Sequence, residues 1–256
     1  MKIIYEITSK ITVKISTLIT IILSLLLNRY RVLFLQYLLA FIHELFHCFG
    51  ALFYKLNINS ITFLPFGFYA DLDNLYYVKW YKELIIILLG PLSYFFSLIL
   101  IKILYLNNVI SYYLYLEMNK TNLFILLFNL LPIYPLDGYR ILKIIFELFF
   151  VEKKSLKLIN FISIVSTIIF TIYSFNNNQI FILSFLIYNQ IIMFLSFKEV
   201  YKHFLISKTI NNKNFKTKFH YFLDLYRPYD NIVLKDNRLY SDKSLSFYLL
   251  KRREKK

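Results

Sequence analysis

Long apolar runs recur along this 256-residue chain, and they limit what it can fold into more than any other feature. Hydrophobic residues make up 58% of the sequence. Several stretches with few or no charges approach the ~20 residues that an α-helix needs to cross ~30 Å of hydrocarbon. A water-soluble domain averages about half apolar residues and does not bunch them in this way. The sequence therefore predicts an all-α integral membrane protein.

Six apolar stretches are predicted to be transmembrane helices, at residues 11–28, 32–54, 84–106, 121–136, 157–175 and 178–197. No small-residue cleavage site follows the first stretch, so we interpret it as a retained helix rather than a signal peptide. Pro132 and Pro135 interrupt the fourth stretch. Irregular backbone at that depth must face protein or water rather than lipid. The fourth segment is therefore expected to lie beside a site.

Two segments outside the predicted helices have a character of their own. Residues 55–83 are too polar for another span, and within them Asn59 to Gly67 predicts a short strand that runs into a turn. From Lys198 onward the chain is polar with short apolar patches. We therefore expect a transmembrane domain at 1–197 and a basic tail at 198–256 that forms a small appended unit.

The charge distribution predicts the orientation. From Lys198 onward there are 15 Lys and Arg against 6 Asp and Glu, a net charge of +9. Positive charge beside membrane helices favours the cytoplasmic side, and an even number of spans places both termini there. We predict a multi-pass protein of the bacterial cell membrane with a cytoplasmic tail. The tail is expected to face anionic lipid, and no nucleic-acid partner is expected.

The second predicted helix carries the pattern H-E-x-x-H as His43, Glu44 and His47. Two imidazoles four residues apart lie on one face of a helix and can bind a single metal ion. The adjacent carboxylate is positioned to accept a proton from a water molecule at that metal. We therefore predict His43 and His47 as zinc ligands and Glu44 as the catalytic acid/base.

The membrane setting strengthens this interpretation. A carboxylate in the middle of a bilayer costs about 2.5 kcal/mol or more, and two histidines add to the polar burden. The alternative is a polar cluster that joins helices through hydrogen bonds without any chemistry. The pattern is short and occurs by chance in soluble proteins, so its position inside an apolar helix is what favours a functional site.

A hydrolytic zinc site has three protein ligands and one open position, and Asp137 is the best candidate for the third ligand. Counting inward from the outer ends of the second and fourth predicted helices, at ~1.5 Å per residue, places His43, His47 and Asp137 at similar depth. Asp137 and Gly138 would also suit a turn that closes the span. Cys48, next to His47, is either a further metal ligand or a buried, inert thiol.

These residues resemble the site-2 protease family of intramembrane zinc metalloproteases. The resemblance covers about Val32 to Gly138. The LPFG turn of this chain and its predicted six-span layout resemble in particular the branch that contains stage IV sporulation protein FB. The features that carry the resemblance are, in order, the His43–His47 motif, Leu64-Pro65-Phe66-Gly67, Gly90-Pro91 and the segment Asn129 to Gly138.

The resemblance implies that His43, His47 and Asp137 hold Zn²⁺, that Glu44 is the acid/base and that Asn129 binds the substrate backbone. It also implies cleavage of a membrane-associated protein at or near the bilayer, releasing a transcription factor such as a sporulation factor precursor. Membrane inhibitor or activator proteins are the implied regulators. The sporulation branch carries a CBS domain after its last span, and the 59 residues from Lys198 to Lys256 are short for one.

Two other functions are compatible with the same residues. A membrane zinc peptidase of another family would take a distant Glu as its third ligand instead of Asp137. A metal transporter or a membrane scaffold that has lost proteolysis would need the ligands but not the carboxylate of Glu44. An intact Glu44 therefore favours the protease.

Overall fold

The computed structural model describes residues 11–13, 15–26, 28, 30–64, 67–72, 78–174, 180–210, 216–221, 223–235 and 238–254. Helices dominate these residues, and two three-stranded sheets accompany them. The chain divides into two compact units. One unit comprises Met1–Leu75 and Tyr81–Leu130, and the other comprises Tyr76–Trp80 and Leu131–Lys256.

The described part of the first unit combines long helices with one small sheet. The central strand of the sheet pairs in parallel with the first strand and antiparallel with the third. The helices are α1 (Ile15–Leu26), α2 (Tyr30–Phe53), α3 (Trp80–Leu106) and α4 (Tyr112–Asn129). The strands are β1 (Ile11–Val13), β2 (Ile58–Leu64) and β3 (Gly67–Leu72).

The long helices of this unit end in defined backbone turns. Lys55, just beyond α2, has a left-handed φ of 58°, and the N–H of Leu56 donates to the carbonyl of Ala51 at 2.9 Å. This bond satisfies a carbonyl at the helix end that has no partner within the helix. Asn108 ends α3 in the same conformation, also at 58°. Each helix therefore stops at a fixed residue although apolar sequence continues nearby.

The β2–β3 hairpin packs against α2. The ring of Phe68 on β3 lies 5.1 Å from that of Phe41 and 5.8 Å from that of Tyr37, between ring centroids. The hydroxyl of Thr17 on α1 donates to the carbonyl of Phe63 on β2 at 2.8 Å. The buried core beneath the hairpin consists of Cys48, Ala51, Ile58, Ile61, Ala70 and Ile86. The hairpin is thereby held beside the helix that carries the histidines.

The described part of the second unit also combines helices with one three-stranded sheet. Strand β5 is central in its sheet, parallel to β4 and antiparallel to β6. The helices are α5 (Asp137–Phe149), α6 (Glu152–Ser174), α7 (Ile180–Ile210) and α8 (Asp242–Glu254). The strands are β4 (Thr217–His220), β5 (Asp230–Lys235) and β6 (Arg238–Ser241).

Four helices among the described residues are long and apolar enough to cross a membrane, which supports a multi-pass membrane protein. They match the second, third, fifth and sixth predicted spans. Their apolar stretches are Leu33–Phe53, Trp80–Leu106, Glu152–Tyr173 and Ile182–Ile210.

The first and fourth predicted spans differ from the structure. Residues 11–13 form a strand, and α1 has only 12 residues, which span ~18 Å of the ~30 Å needed. Helix α4 ends at Asn129 instead of continuing to residue 136, because Pro132 disfavours helix in the residue before it and cannot donate a backbone hydrogen bond. Residues 130–136 are irregular, and the Tyr134–Pro135 peptide bond is cis.

The tail begins inside a helix. The predicted boundary at Lys198 falls within α7, which continues to Ile210, and β4, β5, β6 and α8 follow. Residues 65–66 of the predicted Leu64–Gly67 turn and residues 175–179, which follow α6, lie outside the described residues. The division into a domain at 1–197 and a tail at 198–256 stays a prediction.

Candidate metal centre

Two histidines on α2 face each other across one helical turn. His43 and His47 are 7% and 4% exposed, and their Nε2 atoms lie 3.3 Å apart. Two imidazole nitrogens that bind one tetrahedral zinc ion at ~2.0–2.1 Å stand ~3.3 Å from each other. The separation of the two nitrogens therefore suits a shared metal ion, as the spacing of the sequence motif predicts.

A hydrogen bond to a backbone carbonyl determines which ring nitrogen of His47 carries the proton. Nδ1 of His47 lies 2.8 Å from the carbonyl oxygen of Ile86 on α3. Since a carbonyl can only accept, Nδ1 carries the hydrogen and the lone pair lies on Nε2. This is the tautomer in which Nε2 can bind a metal, and hydrogen bonds of this kind commonly orient metal-binding imidazoles.

Gly90 on α3 makes room for both imidazoles. A Cβ atom added at this position would overlap Nε2 and Cε1 of His47 and would lie 2.9 Å from Cε1 of His43. Contacts under 3 Å are not tolerated by rigid rings in a packed interior. The glycine that the sequence resemblance identified therefore has a steric role beside the histidines.

Glu44 is half-buried on α2 and is held by the hairpin. Its Oε1 accepts the backbone N–H of Ala70, on β3, at 2.7 Å. A carboxylate that accepts a backbone N–H forms a charge-assisted hydrogen bond, which is stronger than a neutral one. The bond fixes one oxygen of the carboxylate and leaves the other to accept a proton.

Asp137 is the first residue of α5 and is 6% exposed. Together with His43 and His47 it forms a group that could hold a metal ion, because one ligand atom from each lies within 4.8 Å of the others. Two imidazole nitrogens and one carboxylate oxygen form a donor set that zinc accepts readily. The free Cys48 is buried and does not belong to this group.

Asn129 is the last residue of α4, and its side-chain amide donates to the carbonyl of Ile125 at 3.0 Å. Its predicted contact with substrate is not tested by this geometry. The segment after it is held in the second unit, where the N–H of Tyr134 donates to the hydroxyl of Ser163 at 2.9 Å. Gln190 on α7 donates to the same hydroxyl at 3.0 Å.

The sequence interpretation missed several groups around the site. The carbonyl of Ile86 and the N–H of Ala70 belong to the backbone, so no residue type signals them. Gln190 contacts the segment that precedes Asp137 through Tyr134 and Ser163, and a polar residue in an apolar helix is a signal in the sequence. Strand β2 is the central strand of its sheet, and β3 lies at one edge.

Two curated proteins are similar to part of this chain. No protein-family model matches the chain. It is 32% identical to stage IV sporulation protein FB of Bacillus subtilis over 123 residues, which are 48% of this chain and 43% of that protein. It is 33% identical to a zinc metalloprotease of Methanocaldococcus jannaschii over 120 residues, which are 46% of this chain and 34% of that protein.

A solved structure shares the fold. The site-2 protease from Methanocaldococcus jannaschii superposes with a TM-score of 0.55 at 27% identity, covering 71% of this chain and 87% of that one. The chain spans less than half the length of the two curated relatives it matches. The similarity to these proteins agrees with the donor set of the candidate metal centre.

Proposed function

We propose, from the premise that this chain belongs to the site-2 protease family, that it is an intramembrane zinc metalloprotease that hydrolyses a peptide bond of a membrane-associated protein. The observation that carries the proposal is the buried group of His43, His47 and Asp137, with Glu44 beside the first histidine. The similarity to two curated proteases and to one solved protease structure supports it.

In this proposal His43, His47 and Asp137 hold one Zn²⁺ and leave one position open. When bound, zinc lowers the pKa of water toward ~7 and polarises a carbonyl. Glu44 accepts a proton from the attacking water and passes it to the amine nitrogen that leaves the cleaved peptide bond. The N–H of Ala70 keeps the carboxylate in place for both transfers.

Asn129 is proposed to orient the substrate backbone, as the family resemblance implies. Its side chain makes one hydrogen bond to its own helix through Nδ2, so a second N–H and the carbonyl oxygen are available to a peptide. The irregular segment that follows Asn129 supports an entry route there, because non-helical backbone at membrane depth lines protein or water.

The finer topology is part of the same proposal. Six spans would comprise the four long apolar helices together with α4 and the short α1, which would require local thinning of the bilayer, and they would return the chain to the cytoplasm of a bacterial cell. The net charge of +9 from Lys198 onward supports a cytoplasmic tail. The similarity to stage IV sporulation protein FB supports a role linked to sporulation. As the family resemblance implies, the proposed substrate is a regulator such as a sporulation transcription factor precursor, under the control of membrane inhibitor or activator proteins.

The test is cleavage in cells that express the chain together with candidate membrane-tethered regulators. Wild type should produce a shortened product, whereas Glu44→Gln should reduce the rate by about 100-fold to 10,000-fold, because loss of a general base commonly costs that much. The glutamine variant should still contain zinc and should co-purify with uncleaved substrate. Glu117→Gln is a matched control, since Glu117 is a half-buried glutamate on α4 outside the metal group.

Two outcomes would contradict the proposal. Cleavage by Glu44→Gln at the wild-type rate would remove the catalytic role of Glu44. Zinc binding by wild type without cleavage of any membrane-tethered regulator would favour the non-proteolytic alternative, a metal transporter or scaffold.

A further inference from the structure

A buried ion pair joins the tail to the helix that begins with Asp137. Nη1 of Arg227 lies 2.6 Å from Oε2 of Glu147 on α5, and the two side chains are 7% and 1% exposed. Lys143, one turn earlier on α5, lies 3.4 Å from the other carboxylate oxygen of Glu147. Two cations from different elements therefore meet one buried carboxylate.

Backbone and apolar contacts accompany the ion pair. The N–H of Glu152, the first residue of α6, donates to the carbonyl of Leu225 at 2.9 Å. Leu225 itself is fully buried. One buried core joins α6 and α7 to the part of the tail that follows α7. It consists of Leu156 of α6, Tyr201, Phe204 and Leu205 of α7, and Leu225, Val233 and Leu245 beyond α7. The tail is thus a packed part of its unit and not a loosely tethered appendage.

Helix α5 connects this contact to the metal centre. Asp137 and Glu147 are ten residues apart on one uninterrupted helix, which is ~15 Å along its axis. Near the start of α5, the hydroxyl of Tyr139 donates to Asn160 on α6 at 2.8 Å. The helix is thereby fixed at both ends, at one end by Tyr139 and at the other by Arg227.

We propose that Arg227 is a positioning residue for Asp137, and that the tail acts through it to hold the third metal ligand in place. This inference rests on the proposed function. Among the described residues, loss of the guanidinium would leave Lys143 as the remaining cation beside the buried carboxylate of Glu147, and an undercompensated buried charge draws water or moves its helix. A shift of α5 would displace Asp137, and displacements of about 1 Å in such sites cost ~100-fold in rate.

A second buried ion pair in the same unit provides the control. Nζ of Lys208 lies 2.9 Å from Oδ2 of Asp242 and donates to the carbonyl of Tyr229 at 2.6 Å, so these contacts join α7 to α8 and to the residue before β5. Lys208→Gln and Arg227→Gln therefore each remove one buried cation at the tail. Arg227→Gln is the variant that removes a described contact with α5.

The experiment compares these variants in the purified full-length protein. Zinc retention is measured by competition with a chelator, tail packing by limited proteolysis, and activity by cleavage of a membrane-tethered substrate. Arg227→Gln should hold zinc about tenfold more weakly, as changes to groups that support metal ligands commonly do, whereas Lys208→Gln should match wild type. Adding Glu147→Gln to Arg227→Gln should restore part of the lost zinc affinity, because the unpaired buried charge is gone.

Equal zinc retention in Arg227→Gln and Lys208→Gln, with both tails resistant to proteolysis, would overturn the inference. If Arg227→Gln unfolds, Arg227→Lys keeps the charge without the forked geometry, and its zinc affinity decides the question. Zinc retention is measured without substrate. A wild-type protein that binds zinc but cleaves nothing would therefore count against the proposed function and leave the role of Arg227 to be judged separately.

Discussion

At the scale of single residues, the histidine pair depends on Gly90 as well as on its own side chains. Gly90→Ala should lose most of the bound zinc, because the added Cβ would occupy the space of the His47 ring. Alanine is favoured over glycine in a helix by about 1 kcal/mol, so the loss would not come from a weaker helix. Zinc content after purification is the measurement.

The matched control is Gly50→Ala on α2. An added Cβ there would come within 2.6 Å of Cδ1 of Leu89, the end of a flexible side chain that can turn aside, and within 3.3 Å of Cα of Ile86, but it would meet neither imidazole. This variant should keep clearly more zinc than Gly90→Ala. Full zinc in Gly90→Ala would mean that the imidazoles can move without losing the metal, and the steric argument would be wrong.

The ligand set itself gives a second prediction at this scale. His43→Ala and Asp137→Ala should each reduce zinc well below one ion per chain, because a closed ligand set with one member missing binds zinc weakly. Cys48→Ala should keep one zinc, since Cys48 lies outside the group that could hold a metal. Metal analysis of the three variants separates these ligands. Unchanged zinc in both ligand variants, with folding intact, would exclude the proposed site.

Side chains near the metal could be predicted from sequence, and backbone groups could not. Ionisable residues are rare in apolar helices, so the sequence alone indicates a functional role for His43, Glu44 and His47. Asp137 could be proposed because a count along two predicted helices suggested its depth, although the second of these helices ends at Asn129. The carbonyl of Ile86 and the N–H of Ala70 exist in every residue of every protein, so only the folded chain shows which of them reach the site.

At the scale of elements, the β2–β3 hairpin does more than connect two helices. Strand β3 lies at the edge of its sheet, and the N–H of Ala70 bonds to Glu44 rather than to the neighbouring strand. Edge strands leave such groups unpaired in many proteins. Here the edge holds the carboxylate, and a peptide that pairs with β3 would meet Glu44 at the same position.

Ala70→Pro is therefore expected to reduce cleavage about tenfold to a hundredfold while zinc is retained. Proline removes the N–H that bonds to Glu44, and a hydrogen bond to a charged group contributes ~1.5–3 kcal/mol. Proline is tolerated on an edge strand where the N–H points away from the sheet. Tyr69→Pro, one residue earlier, is the comparison that should disrupt the hairpin. Wild-type cleavage by Ala70→Pro would show that the carboxylate needs no such support.

Helices and strands could be predicted from sequence where hydrophobicity or β-propensity alone determines the structure. The long apolar helices and strand β2 follow from composition and from β-branched residues. The end of α4 at Asn129 was missed because apolarity continues through Pro132 to residue 136, and hydropathy does not register a missing backbone donor. The tail strands escaped prediction because each has six residues or fewer, and nine residues separate β4 from its partner β5.

At the scale of the whole molecule, the orientation in the membrane can be tested directly. After Cys48→Ala, single cysteines at Val109 and Lys243 should label differently in intact cells. Both side chains are exposed, and the proposed topology places Val109 outside and Lys243 in the cytoplasm. An impermeant thiol reagent should label the first only. Labelling at Lys243 from outside would reverse the topology and remove the depth argument for Asp137.

Helix α7 extends without interruption from the last predicted span into the basic tail. Its 31 residues extend ~46 Å, well beyond the ~30 Å of a hydrocarbon layer, and its sequence contains neither proline nor glycine. Sharp kinks in helices almost always need such residues or an inserted group. The part of α7 that carries Tyr201, Phe204 and Lys208 into the tail is therefore not expected to kink. A protein that binds and rotates the tail would be expected to rotate the membrane-embedded end of α7 with it.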